Sequence, residues 1–326
     1  MLSDKLDHFN IRQIAESGQC FRIREIEPGR WVVPSGERCI TLTCHLERST
    51  KCGVERSYLT NGVPDRDNVD STKILRLPTV AQDDKTLFQD DKTLSQDDMT
   101  LSQDDVLLSQ DDMRLSQHDI YWARYFDLSR DYSAIESAIR SSGDAHLIEA
   151  FNSGSGIRIL KQDLWETIIS FMISQNNNIK RIAGSIEKLC KLADRKIKGF
   201  EDVFAFPKPE DLDPAVFDDT SLGLGYRAGC IRDMFVYTAS HPEWLKELRE
   251  APYEDAKRLL MDKKGIGPKV SDCICLFALS HVDAWPVDTH VKQLVAKYYP
   301  NGFDFERYKG FAGIIQQYLF YYEIKK

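Results

Sequence analysis

A lysine and an aspartate nineteen residues apart are the best candidates for joint chemistry in this sequence. The stretch 260–290 reads LMDKKGIGPKVSDCICLFALSHVDAWPVDTH. It predicts a helix that ends near Lys263, a tight turn at 265–267 and a second helix that begins at Pro268, because proline suits a first helical turn. Lys269 then lies in that first turn, where the helix dipole and partial burial disfavour a protonated amine. A lysine so placed can act as a nucleophile.

The glycines of the predicted turn suit a contact with phosphate. Gly265 and Gly267 let the backbone approach another surface closely and turn N–H groups outward. The aspartate, Asp288, lies in the stretch 286–290 (PVDTH) at the start of another predicted helix. Taken singly, Lys269 is typical of a solvated surface charge and Asp288 of a helix N-cap. Their combination, after a glycine hairpin and at this spacing, is the specific signal.

The segments GIGPKVSDC and PVDTH resemble the helix–hairpin–helix superfamily of DNA glycosylases, and their details are similar to the 8-oxoguanine DNA glycosylases. The resemblance runs through most of the chain outside an acidic repeat. It implies a base-excision repair enzyme, a glycosylase with AP lyase activity, that removes 8-oxoguanine from duplex DNA, with cytosine as the expected opposite base. In such an enzyme Lys269 would attack C1′ of the damaged nucleotide and form a Schiff base that permits β-elimination. Asp288 would stabilise the cationic sugar and help to align the nucleophile.

Two further segments resemble the parts of that family that bind the flipped base. In 16–22 (ESGQCFR), the carbonyl of Gly18 would accept a hydrogen bond from N7–H of 8-oxoguanine. Normal guanine lacks that proton, and an unmet acceptor costs about 1–3 kcal/mol. In 310–320, Gln316 would read the Watson–Crick edge, and Phe320 would stack on the base with a cysteine on its opposite face. The residues so assigned to the base are Gly18, Cys273, Pro286, Gln316 and Phe320.

The stretches 174–181 (SQNNNIKR) and 222–228 (LGLGYRA) resemble the family's loops that hold the DNA around the flipped nucleotide. Asn176 would fill the gap in the base stack. Two arginines would read the orphaned cytosine, with a tyrosine wedged beside it, and a histidine would reach a phosphate. The residues so assigned to DNA are Asn176, Arg181, Tyr226, Arg227, Gly265, Gly267 and His290.

The hairpin departs from the family at 263–265, which reads Lys-Lys-Gly where the family usually has Leu-Pro-Gly. The change adds positive charge near phosphate and leaves open how tightly the turn packs. No cysteine follows Cys275, so the cluster that holds an iron–sulfur centre in some relatives is absent, and we expect no metal or cofactor.

Two alternatives stay open: a lyase-type glycosylase for another oxidised or alkylated base, and a non-catalytic DNA-binding helix–hairpin–helix module. Lys269 together with Asp288 disfavours the module, because phosphate binding needs neither.

The elements that must position these residues follow two patterns. Before the acidic repeat, the sequence predicts strands at 31–33 and 39–43 joined by a turn at 34–37, and a further strand at 73–77. After the repeat the apolar spacing is helical. Asp119 or Ser116 can cap a helix through 121–126, and Asp163 precedes a strongly apolar helix. The apolar residues predicted on one face of the next helix are Ile179, Ile182, Ile186, Leu189 and Cys190.

These patterns predict an α+β fold in three parts. A β-rich N-terminal domain takes residues 1–77, an acidic heptapeptide-repeat insertion 78–119, and a mainly α-helical glycosylase domain 120–326, with the helix–hairpin–helix at about 252–280. The 326 residues suffice for two such domains.

Eight cysteines without a CxxC pair favour a reduced, intracellular protein. No stretch approaches the roughly 20 apolar residues of a membrane span. We expect a monomer that binds double-stranded DNA containing oxidised guanine, cytoplasmic and nucleoid-associated if bacterial.

The acidic repeat explains the net charge of −8. Residues 83–119 hold eleven Asp and three strong bases, and the rest of the chain has 40 basic and 40 acidic side chains. Net charge therefore neither supports nor excludes DNA binding. Leucine recurs every seven residues, as in a coiled coil. The second apolar residue of a copy, however, lies five residues after one leucine and two before the next, not four and three. In a helix, that spacing places the second apolar residue and the leucine on nearly opposite faces. With paired aspartates in each copy, this pattern predicts a solvated, largely disordered insertion.

Deletion of 85–112, four whole copies, should leave excision on short duplexes and the melting temperature nearly unchanged. It removes two Lys and eight Asp, a net charge of −6. We therefore expect DNA binding to tighten modestly at low salt and not at high salt, because screening acts over about 10 Å at 0.1 M. A large drop in melting temperature, or lost excision, would show that the repeat is a folded part of the protein.

Overall fold

The computed structural model describes residues 8–44 and 117–326. The strand predicted at 73–77 and residues 78–116 of the repeat lie outside the described residues. In the two described ranges no helix has the length and apolar character needed to cross a membrane. The same ranges contain no group of three or more His, Cys, Asp or Glu side chains placed to hold a metal ion.

The N-terminal elements form a small antiparallel sheet. They are α1 (Ile11–Glu16), β1 (Arg24–Glu27), β2 (Arg30–Ser35) and β3 (Arg38–Thr43), with the strands in the order β1-β2-β3. The predicted hairpin is confirmed, but its turn is shorter than expected. Pro34 and Ser35 lie in β2 and pair with Cys39 and Arg38, so the turn at 34–37 was wrong by two residues. The left-handed conformation of Gly36 (φ +54°) lets two residues close the hairpin.

The described chain from residue 117 onward is mostly helical, which confirms a helical fold with a small sheet near its N-terminus. Its helices are α2 (Gln117–Tyr125), α3 (Tyr132–Ser141), α4 (Ala145–Gly154), α5 (Leu164–Ser174), α6 (Ile179–Ala193), α7 (Ala228–Ser240), α8 (Glu243–Glu250), α9 (Tyr253–Met261), α10 (Pro268–Phe277), α11 (Thr289–Tyr298) and α12 (Ala312–Lys325). Helix α2 shares the apolar cluster of the sheet through Trp122 and Tyr125. The domain boundary after residue 119 stays a prediction.

Side-chain caps explain where several helices begin. The predicted cap at Asp163 is confirmed, since its carboxylate accepts the backbone N–H of Glu166 at 2.8 Å. The predicted cap at Asp119 is wrong, because α2 already begins at Gln117 and Asp119 lies inside its first turn. On α6 four of the five predicted face residues are buried, whereas Ile179 is 43% exposed because the first helical position lies beyond the edge of the core.

The main core is built around α5 and α10. Both helices are buried along nearly their whole length, as expected of helices enclosed by others. Helix α10 packs against α5 and α9, and α12 packs against α4 and α11. The start of α10 therefore has a fixed position relative to the rest of the helical part.

A buried arginine joins the sheet segment to the helical core. The side chain of Arg22 is only 2% exposed; it lies 3.4 Å from Oε2 of Glu166 and 3.2 Å from Oε1 of Glu187. Its Nη2 also donates to the carbonyl of Phe204 at 2.5 Å. Burial raises the pKa of Glu166 above its ordinary value, and the charge of Arg22 opposes that rise. Arg22 thus supplies the countercharge for Glu166, whose side chain is only 13% exposed.

Arg22→Met should lower the free energy of unfolding by about 3–5 kcal/mol, because it leaves Glu166 buried without its cation. Urea denaturation followed by circular dichroism measures the change. Arg258→Met is the matched control: its ion pair with Asp255 is 67% and 54% exposed and should contribute less than about 1 kcal/mol. Equal losses in the two variants would contradict the role of Arg22.

Candidate active site

Helices α9 and α10 and the turn between them form the predicted helix–hairpin–helix. Helix α9 ends at Met261 and α10 begins at Pro268, which confirms the predicted boundaries to within two residues. Gly265 has φ +91°, and a Cβ there would lie 2.9 Å from Cβ of Cys230, so the turn packs closely on α7. A Cβ on Gly267 would meet no atom within 4 Å among the described residues. On the side to which its Cβ would point, Gly267 therefore leaves open space for another molecule to approach.

The two lysines of the hairpin have different surroundings. Nζ of Lys263 lies 3.7 Å from the ring centroid of Tyr237 and 5.4 Å from that of Trp244. Lys263 thus packs against aromatic rings where the resembled family has leucine, and the hairpin is tightly packed. Lys264 is exposed. The ammonium of Lys263 is held by the rings, and the added positive charge near phosphate stays a prediction for both lysines.

Lys269 lies at the border between solvent and core. It is half-buried, and Nζ lies 5.3 Å from the ring centroid of Phe171. One helical turn further, Cys273 is buried. Burial raises the pKa of its thiol to about 11, and the charge of Lys269 and a hydrogen bond with it oppose that rise, while the charge of Asp288 adds to it. The amine of Lys269 and the carboxylate of Asp288 therefore both act electrostatically on the thiol of Cys273.

Asp288 is the N-cap of α11, which is one of the two functions that its sequence context allows. Its Oδ1 caps α11 by accepting the backbone N–H of Val291 at 2.9 Å. Its Oδ2 lies 3.4 Å from Nδ1 of His290. The cap fixes the direction of the carboxylate, and the side chain stays 26% exposed, so the second oxygen can face a substrate.

The N-terminal segment and α12 meet beside this group. Nε2 of Gln317 donates to the carbonyl of Ser17 at 2.5 Å. Gly18 is left-handed (φ +76°), and a Cβ there would lie 3.3 Å from Cε1 of Phe320. The ring of His290 lies 6.2 Å from that of Phe320, edge to face. The predicted glycine and phenylalanine are thus direct neighbours.

Gln316 has one amide atom without a partner. Its Nε2 donates to the carbonyl of Pro286 at 3.1 Å, which fixes the plane of the amide. Its Oε1 is buried and accepts no hydrogen bond from any described residue. A buried acceptor without a donor costs about 1–3 kcal/mol, so this position favours a ligand that supplies an N–H.

The contacts above place eight of the predicted residues in one continuous group. They are Gly18, Lys269, Cys273, Pro286, Asp288, His290, Gln316 and Phe320. The arrangement offers a lysine and a carboxylate for chemistry, next to an aromatic ring, a thiol and an unpaired amide oxygen that can hold a planar polar ring.

The remaining predicted residues lie in a second group, except for the hairpin glycines. Asn176 is exposed with φ +46°, and Tyr226 is 72% exposed. The guanidinium of Arg227 lies 4.4 Å over the ring of Tyr226 and donates to the carbonyls of Asn176 and Leu224 at 3.0 and 3.2 Å. Arg227 is thus buried and already bonded to backbone, whereas Arg181 is exposed in the first turn of α6.

Sequence reasoning gave no role to Gln175, although it lies within a stretch that was singled out. In the structure its side chain donates to the carbonyl of Gly265, and its own carbonyl accepts from Arg227. Both contacts join segments that are more than fifty residues apart. Nothing in the local sequence could have predicted them.

Comparisons with known proteins agree with this arrangement. N-glycosylase/DNA lyase of Saccharomyces cerevisiae is 37% identical over 161 residues, 45% of this chain and 43% of the relative. N-glycosylase/DNA lyase OGG1 of Arabidopsis thaliana is 37% identical over 150 residues, 44% of this chain and 41% of the relative. The matched region thus spans less than half the length of these curated relatives.

Among solved structures, MBOgg1 in complex with a low-affinity DNA ligand superposes with a TM-score of 0.70 at 28% identity, over 98% of this chain and 93% of that chain. The family model for the N-terminal domain of 8-oxoguanine DNA glycosylase matches residues 1–168, a segment that includes Gly18 and ends within α5. Since this match covers more than half of the 326 residues, the protein belongs to the 8-oxoguanine DNA glycosylase family.

Proposed function

We propose that this protein is a bifunctional DNA glycosylase and AP lyase that excises 8-oxoguanine, with cytosine opposite, from double-stranded DNA. The observation that carries the proposal is the half-buried Lys269 in the first turn of buried α10, one helical turn before Cys273. The carboxylate of Asp288, the cap of α11, acts electrostatically on the same thiol. The names of the two curated relatives, both N-glycosylase/DNA lyases, support the same pair of activities. The protein acts as a monomer, since one chain holds every residue assigned to the site.

Lys269 is the nucleophile in this mechanism. Its neutral amine attacks C1′ of the damaged nucleotide, the N-glycosidic bond breaks, and the base leaves. The bond between C1′ and the ring oxygen O4′ then breaks, O4′ takes up a proton, and the amine stays bonded to C1′ as a Schiff base. The Schiff base makes the proton at C2′ acidic; loss of that proton expels the 3′-phosphate, and the strand is nicked. Asp288 stabilises the positive charge that develops on the sugar, because a fixed carboxylate close to a cation lowers its energy in a partly dry site.

The residues of α12 and the N-terminal segment select the base. The carbonyl of Gly18 accepts N7–H of 8-oxoguanine, which guanine lacks. Oε1 of Gln316, unpaired in the free protein, accepts an N–H from the Watson–Crick edge of the base. Phe320 and Cys273 hold the ring from its two faces. Because these base-binding residues lie beside a buried helix, the damaged nucleotide must leave the duplex to reach them.

The second group holds the duplex. Asn176 fills the space left by the flipped base, and Tyr226 stands beside the unpaired cytosine, which Arg181 and Arg227 read. Phosphates contact the hairpin at Gly265 and Gly267, and His290 near the site. A non-catalytic DNA-binding module is the competing function, and it predicts DNA binding without any covalent intermediate.

Lys269→Gln should abolish both borohydride trapping and strand nicking on a duplex with 8-oxoguanine opposite cytosine, because no other amine occupies the start of α10. Binding of the same duplex, measured by fluorescence anisotropy, should persist. Lys246→Gln, at an exposed position of α8, is the control and should trap like the wild type. Undiminished trapping by Lys269→Gln would move the nucleophile elsewhere, and wild-type protein that traps no lesion duplex would favour the module.

Lys264→Ala should weaken binding to duplexes of any sequence. It should also reduce the slope of log K against log salt by about 1, as expected for one lost phosphate contact. Lys263→Ala should leave that slope unchanged and instead lower the free energy of unfolding by about 0.5–2 kcal/mol, since its ammonium packs on aromatic rings. Equal slopes in Lys264→Ala and wild type, or a smaller slope in Lys263→Ala, would contradict this division of roles.

A further inference from the structure

Three segments that are far apart in sequence meet at Gln175, the residue that follows α5. Its Nε2 donates to the carbonyl of Met172 at 3.1 Å, within its own helix end, and to the carbonyl of Gly265 at 2.9 Å, in the hairpin. One amide nitrogen has two donor hydrogens, so both contacts form at once. The side chain of Gln175 thereby ties the end of α5 to the phosphate-binding turn.

The backbone of Gln175 is held from the other side. Its carbonyl accepts from Nε of Arg227 at 2.8 Å and also from Nη2. Nη2 further donates to the carbonyl of Asn176 at 3.0 Å. The start of α7 therefore fixes the two carbonyls that flank the exposed asparagine.

These contacts hold a conformation that costs energy. Asn176 has φ +46°, a left-handed backbone that asparagine tolerates better than most residues but that still needs support from its surroundings. Close packing leaves the hairpin little freedom to slide, since a Cβ on Gly265 would lie 2.9 Å from Cys230 and 3.3 Å from Cε of Met172. The turn, the asparagine and the arginine thus form one compact unit with Gln175 at its centre.

We propose that Gln175 is a positioning residue that fixes Asn176 relative to the phosphate-binding hairpin. When the hairpin binds the DNA backbone, Asn176 is then already in position to displace the base. The inference rests on the proposed glycosylase function. Separating a base from its stack costs free energy. Binding of the DNA phosphates to the hairpin can offset that cost only if Asn176 is held firmly relative to the hairpin. Loss of the link should slow base displacement and leave phosphate binding and the chemistry at Lys269 intact.

The test compares two substrates that differ only in whether a base must be displaced. One duplex carries 8-oxoguanine opposite cytosine, and the other carries a preformed abasic site in the same sequence. Gln175→Met removes both donors at similar length, and Gln175→Glu turns a carboxylate toward two carbonyls. Ser174→Ala is the matched control, because its hydroxyl donates only to the carbonyl of Phe171 in its own helix.

In single-turnover assays, Gln175→Met should excise 8-oxoguanine about tenfold more slowly than wild type, as the loss of one or two hydrogen bonds at a positioning contact implies. Gln175→Glu should be slower still. Nicking of the abasic duplex and affinity for undamaged DNA should change less than about twofold in both variants, as expected if chemistry and phosphate binding are intact. A 2-aminopurine beside the lesion should brighten more slowly in the Gln175 variants than in wild type and Ser174→Ala, which should match each other.

Equal losses of Gln175→Met on the two substrates, or a fall in melting temperature that accounts for the loss, would overturn the positioning role and leave Gln175 a structural residue. Wild-type rates on both substrates would also overturn it. In each of those cases the active wild type keeps the proposed function. A wild type that neither excises 8-oxoguanine nor nicks the abasic duplex would instead contradict the proposed function, and this inference with it.

Discussion

The enclosure of α10 is the constraint on which the rest of the site depends. Every residue from 270 to 277 is buried, so the helix can neither rotate nor slide without breaking contacts with α5 and α9. A rotation by one residue would turn its side chains by about 100° and carry Lys269 away from Phe171 of α5. Because Lys269 directly precedes the buried run and is itself half-buried, its Nζ is held 5.3 Å from the ring centroid of Phe171 while part of the residue stays accessible to solvent. A nucleophile needs this combination of fixed position and access.

The site also depends on packing between the two ends of the described chain. Gln317 and Ser17 are 300 residues apart, and their hydrogen bond brings Gly18 against Phe320. Helix α12 in turn reaches the core only because residue 313 is glycine: a Cβ there would lie 2.5 Å from the carbonyl of Ala284. The residues proposed to recognise the base are therefore brought together only in the folded protein. In the proposed function, selection of the base and chemistry at the sugar come from segments that a single core holds together.

The sequence predicted the parts of the site that local rules govern. Proline at a first helical turn marked the start of α10, and glycine marked the hairpin before it. The cap at Asp288 follows from the same kind of rule, since an aspartate accepts the first free N–H groups of the helix that it begins. These features depend on a few neighbouring residues, which is why single-sequence reasoning placed them to within two positions.

What the sequence could not predict are contacts between distant segments. The aromatic rings that hold Lys263 belong to α7 and α8, and the carbonyls that hold Arg227 follow α5. Gln175 joins the hairpin to α5 by side-chain contacts that no spacing rule encodes. The shortened turn of the hairpin has a similar cause. Pro34 and Ser35 pair with β3, so β2 extends past the strand 31–33 that the sequence predicted.

The most direct test of this account locates the covalent bond itself. Borohydride reduction of the wild-type protein on a duplex with 8-oxoguanine opposite cytosine, followed by nuclease and trypsin digestion, yields a peptide that carries the nucleotide remnant. Trypsin does not cut at a modified lysine, so the account predicts an adduct on the peptide Gly265–Lys292, uncut after Lys269. An adduct on Lys263 or Lys264, or no adduct although the base is released, would contradict it.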